Sequence, residues 1–243
     1  MTSAPRLAAA LSALAAVVLI AGCTVGPGAA SPQNTSNPSG EAQAPDDDAD
    51  DMSGALLDDG RMFAVVTWGS SSCVPNVTEV TAQGQEVSVT LEDADGDQVC
   101  TADMAQRASL GALPAGVDPT SDITLSVTYA DATDDVEIGG RQVAGVPGEP
   151  TSYEPSAGWV DDGSLVLLTW GSSGCPPIAS TIEGSGNAGT VEFATVEGQV
   201  CTMDMAPRAT LLSFAEGSVD DDAPFTLTLV GGGVDGVVTI PGV

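Results

Sequence analysis

Asp103 and Arg107 stand four residues apart, and the same pair returns as Asp204 and Arg208. On an extended strand such a spacing turns both side chains to one face, with Met104 or Met205 on the other. A guanidinium fixed on a strand face can grip a carboxylate or phosphate bidentately. The structural alternative is an Asp–Arg pair that orders its own segment. Trp68 and Trp170 each lie five residues ahead of a cysteine. Such an indole stacks on a sugar or captures a partner, or else packs against a disulfide as in other stapled sandwiches. Chemistry beyond recognition is scarce. The chain has no histidine, and its five basic residues are all arginines. The usual bases of serine and cysteine nucleophiles are therefore missing, as is a lysine for a Schiff base. Histidine-containing zinc sites are excluded as well. With 34 acidic residues, paired-carboxylate catalysis stays open.

Both pairs belong to a longer repeat. Thr67-Trp68-Gly69-Ser70-Ser71-Ser72-Cys73 returns as Thr169-Trp170-Gly171-Ser172-Ser173-Gly174-Cys175, and the stretch Gln98–Ala108 returns as Gln199–Ala209. A register-matched repeat with conserved cysteine positions marks a duplicated module. The Gly-Ser-Ser turn after each tryptophan lacks the G-x-S-x-G pattern of a nucleophile elbow and the glycines of a phosphate loop. Asp93-Ala94-Asp95-Gly96-Asp97 hints at calcium, but its glycine is fourth and Met104 takes the twelfth position, where an EF-hand needs glutamate. An acidic β-turn fits better, and no metal site or cofactor is expected.

A net charge of −29 repels nucleic acid and anionic lipid alike. Much of it sits in tracts such as Asp46 to Asp51 and Asp220-Asp221-Asp222, read as solvated loops that keep the protein soluble and monomeric.

Residues 1–23 read as a signal peptide: Arg6 supplies the positive start, and Leu7 to Ile20 form an apolar core too short to span a bilayer comfortably. The core ends in Ile20-Ala21-Gly22-Cys23. This resembles the lipobox of bacterial lipoproteins, and the Ala/Gly/Asp bias without lysine resembles those of high-GC actinobacteria. The resemblance implies that Cys23 is lipidated and becomes the mature N-terminus, on the outer side of the cell membrane. Two or more acyl chains would anchor the chain stably, where one would not. Residues 24–60, rich in Ala, Ser, Pro, Gly and Asp, read as a disordered acidic tether with an r.m.s. span of about 30–35 Å.

Setting Cys23 aside leaves four cysteines, two per repeat. Export favours disulfides, and of the three pairings only Cys73–Cys100 with Cys175–Cys201 lets both copies fold alike. Each closes a loop worth about 3 kcal/mol in the chain-entropy account.

The elements that must position these residues are strands. Phe63 to Trp68 and Leu165 to Trp170 are nearly continuous apolar runs, as for strands covered on both faces. Val87, Val89 and Leu91 alternate with polar residues, as do Val191 and Phe193, Ile123 to Tyr129, and Phe225 to Leu229. Pro207 argues for an edge or bulged strand. The pattern predicts an all-β protein of two tandem small antiparallel β-sandwich or barrel modules, residues 61–140 and 164–243, each with one disulfide. Residues 141–163 read as a linker, with Trp159 packing at the junction; a single merged sandwich is the alternative. The expected function is a non-enzymatic, lipid-anchored surface module that binds or spaces an unknown envelope component, with Trp68, Asp103, Arg107, Trp170, Asp204 and Arg208 as candidate binding residues. A carboxylate-dependent hydrolase of cell-wall glycans and a low-affinity divalent-cation binder are the alternatives.

Overall fold

The computed structural model describes residues 52–94, 96, 99–195 and 198–242. The signal peptide, Cys23, most of the expected tether, and the acidic residues Asp95, Asp97 and Glu197 lie outside them. Among the described residues there is no α-helix, and none is long and apolar enough to cross a membrane.

The first repeat supplies β1 (Ser53–Leu57), β2 (Met62–Gly69), β3 (Asn76–Gln83), β4 (Glu86–Glu92), β5 (Ala105–Ala112), β6 (Ile123–Tyr129) and β7 (Ala132–Ile138). The second supplies β8 (Ser156–Asp161), β9 (Ser164–Gly171), β10 (Ala179–Ser185), β11 (Ala188–Phe193), β12 (Ala206–Ser213), β13 (Phe225–Gly231) and β14 (Gly236–Ile240). Two stretches read as connectors are thus strands. β1 falls in the expected tether and β8 in the expected linker, each pairing with the long apolar strand after it. Trp159 is correspondingly a core residue of the second repeat, edge-on to Phe225 at 5.2 Å, rather than a junction residue.

Each repeat divides its strands between two sheets: β1-β2-β5 and β3-β4-β6-β7 in the first, β8-β9-β12 and β10-β11-β13-β14 in the second. Self-contained antiparallel sandwiches or barrels are not what forms. β4 pairs with β6, and β11 with β13, in parallel. A parallel pair needs a crossover, and here β5 or β12, lying in the other sheet, provides it. The four sheets stack, because the inner strands are apolar on both faces. In β2, Phe63 and Val65 join the core beneath the first four-stranded sheet, while Ala64 and Val66 turn the other way. In β9, Leu165 and Leu167 face the second four-stranded sheet, while Val166 and Leu168 meet Leu57, Ala64 and Val66 across the repeat boundary. Period-two alternation between two apolar faces requires cover on both sides, and the two inner sheets cover each other. β1 runs against β8 so closely that a methyl on Gly158 would stand 2.7 Å from Ala55 Cβ.

β5 and β12 are both edge strands, as the proline at 207 requires.

Candidate functional site

Both disulfides form as expected, Cys73 with Cys100 and Cys175 with Cys201, with Cα atoms 5.6 and 5.5 Å apart. Arg107 faces Thr67 across the β2–β5 ladder, and Arg208 faces Thr169 in β9–β12. From there the Arg107 guanidinium donates to the carbonyls of Cys73 at 2.5 Å and Trp68 at 3.2 Å. Arg208 makes the same two bonds, to Cys175 at 3.0 Å and Trp170 at 2.9 Å. The glycine of the Thr-Trp-Gly motif leaves room for this: a Cβ on Gly69 would lie 2.5 Å from Arg107 Cζ, and one on Gly171 2.8 Å from Arg208 Cζ. The two repeated motifs are therefore one unit, a guanidinium cradled over a glycine and tying the strand end to the stapled loop.

Neither arginine pairs with its aspartate. Asp103 and Asp204 precede β5 and β12 instead of lying on them, so the expected same-face geometry is absent. The ion pairs among the described residues join Arg61 to Asp58 and Asp59. Asp103 caps the serine turn: its carboxylate accepts from the Ser71 amide at 3.2 Å and from the Thr101 hydroxyl. Asp204 likewise takes the Ser173 amide at 3.1 Å and the Thr202 hydroxyl. Hydrogen bonds from Ser71 and Thr101, and from Ser173 and Thr202, hold both carboxyls down to about 2. Each aspartate thereby ties the serine turn to the segment that follows the second cysteine of its staple.

The cradles differ in their lids. Arg107 is 5 % exposed, also donates to Tyr129 Oη at 3.2 Å, and lies 5.5 Å from the centre of that ring. In the parallel ladders Tyr129 pairs with Leu91, whereas its counterpart Gly231 pairs with Phe193. Arg208 is accordingly more open and lines a groove of about 530 Å³ that also takes in Val74 and Pro75 of the first repeat and Pro176 of the second.

The tryptophans are also unequal. Trp170 is half-buried at the rim of the shared core, with the Tyr153 ring edge-on at 5.1 Å. Trp68 is 38 % exposed. Around the staples stand side chains that water does not favour: Val99 and Val200 at 92 and 93 % exposure, with Met104 and Met205 also exposed. They recur at matched positions; on the expected strand the repeat places Met104 and Met205 opposite the Asp and Arg side chains, but nothing in the sequence pattern marks Val99 or Val200 as exposed. Tyr153 was missed too; it sits in a presumed linker and its contact is long-range.

Among the described residues no group of three or more His, Cys, Asp or Glu side chains is placed to hold a metal. Asp93, from the acidic turn, accepts a hydrogen bond from Tyr129 Oη at 2.7 Å. No known protein family, curated protein or solved structure matches this chain.

Proposed function

We propose that this is a non-enzymatic binding module of a bacterial envelope, held on the outer face of the cell membrane through lipid on Cys23. One observation carries the reading. The side chains with chemistry to offer are spent inside the scaffold, in Arg107, Arg208, Asp103 and Asp204, while large apolar side chains are turned outward at the same places in both repeats. Exposed apolar groups beside a stapled loop favour a partner that covers them. The lipobox-like Cys23 and the acidic stretch after it support a tethered position.

Incubation of the oxidised protein with purified cell-wall material separates binding from hydrolysis. The expected result is saturable association with an envelope fraction and no release of soluble glycan. Release of glycan that a single carboxylate-to-amide change abolishes would overturn the reading in favour of a hydrolase.

A further inference from the structure

Two asymmetries between the repeats have a common origin. Asp58 is buried, whereas Asp161, its counterpart in the repeated Asp-Asp-Gly turn, is exposed. Trp170 is half-buried, whereas its counterpart Trp68 is exposed. Both covered residues are covered by the same segment, a strap bounded by Pro150 and Pro155. Thr151 Oγ1 donates to Asp58 Oδ1 at 3.0 Å, and the Tyr153 amide donates back to Thr151 Oγ1 at 3.0 Å. That small turn, with Tyr153 at φ 61°, sets the Tyr153 ring on Trp170. Burial raises the Asp58 carboxyl above its usual value, as expected under such a cover.

The repeats contact each other reciprocally, β1 against β8 and β5 against β12. A strap from Asp58 of the first repeat to Trp170 of the second therefore has a mirror track, from Asp161 of the second to Trp68 of the first. The two clefts beside the turns bear this out. The covered one, about 390 Å³, is lined by Asp58, Asp59, Ala157 and Pro241, with Pro155 of the strap. Its counterpart, about 310 Å³, is lined by Asp161, Asp162, Asp221, Glu137 and Arg141, together with Gly54 and Gly139. In the sequence, Asp48 and Asp50 stand at the repeat offset from Thr151 and Tyr153. Neither carries the hydroxyl or the aromatic ring of the strap pattern.

We infer that the track from Asp161 to Trp68 is the docking site for a protein partner, and that its occupant presents an aromatic ring two residues after a basic side chain. Tyr153 on Trp170 supplies the aromatic half of this pattern. Charge complementarity supplies the other half: the cleft at the start of the track sets the carboxylates of Asp161, Asp162, Asp221 and Glu137 against a single guanidinium, that of Arg141, which donates to the Pro241 carbonyl, so it stays acidic. This inference rests on the binding-module reading and adds to it one further face with its own ligand pattern.

The probe is a synthetic peptide spanning residues 148–156 with Thr151→Lys, titrated to millimolar concentration against the isotope-labelled, oxidised protein. The three tryptophans give three indole N–H signals, assigned with Trp68→Phe and Trp170→Phe. The expected result is a saturable shift of the Trp68 signal, lost when the peptide carries Tyr153→Ala and at least threefold weaker on Asp161→Asn/Asp162→Asn protein. A Trp68 signal that stays still, moves equally with the alanine peptide, or responds only to oligosaccharides would overturn the inference. The binding-module reading would then still stand or fall on the cell-wall assay.

Discussion

Arg107 and Arg208 explain why two motifs some thirty residues apart are repeated together, since each guanidinium needs a glycine beneath it and carbonyls of the opposite motif around it. Arg107→Ala strips charged donors from two carbonyls and a tyrosine in a buried setting, an expected loss of about 1.5–3 kcal/mol in urea unfolding. Arg208→Ala, more open and without the tyrosine, is expected to cost less. The aspartates give a pH dependence. Their folded value of about 2 lies below the ordinary 3.8, so the ionised form is favoured by the fold. That contribution is present above pH 3.8 and lost as pH falls toward 2. Asp58, raised by burial, has the opposite sign. Over this window, the melting temperature of Asp103→Asn/Asp204→Asn protein is expected to fall less than that of the wild type. The matched cysteines made the staples legible in sequence. The roles of Asp103 and Arg107 were not, because the pair's spacing implied a strand that begins only at Ala105.

At the scale of elements, alternating and continuous apolar runs marked most strands, and Pro207 marked an edge. β1 and β8 escaped because Ser53–Leu57 and Ser156–Asp161 are short and follow stretches rich in proline and acid. The parallel pairs escaped for another reason: β5 and β12 leave their neighbours' sheet, and periodicity does not report which sheet a strand joins. The close approach of β1 and β8 is testable. Gly158→Ala forces a methyl against Ala55 Cβ at 2.7 Å and Leu56 O at 2.8 Å, with an expected loss of about 1–3 kcal/mol. Gly236→Ala, where an added methyl meets nothing, is the control and leaves chemical stability far less changed.

Across the whole molecule, the apolar runs of β2 and β9 already said that both faces would be covered; what covers the second face is the other repeat. Leu168 lies in that shared layer, fully buried. Leu168→Ala is expected to cost about 2–5 kcal/mol and to lower hydrogen-exchange protection in β2 as well as β9. Loss confined to β9 would mean that the repeats fold separately. Each stapled loop presents the same outward valine and methionine beside that shared layer. The most direct test immobilises the oxidised protein and offers it a cell-envelope extract, beside a Val99→Ser/Met104→Ser/Val200→Ser/Met205→Ser variant that melts like the wild type. Specific capture by the wild type, lost in the variant, is the expected result. Capture that survives in the variant would contradict the assignment of function to the stapled ends.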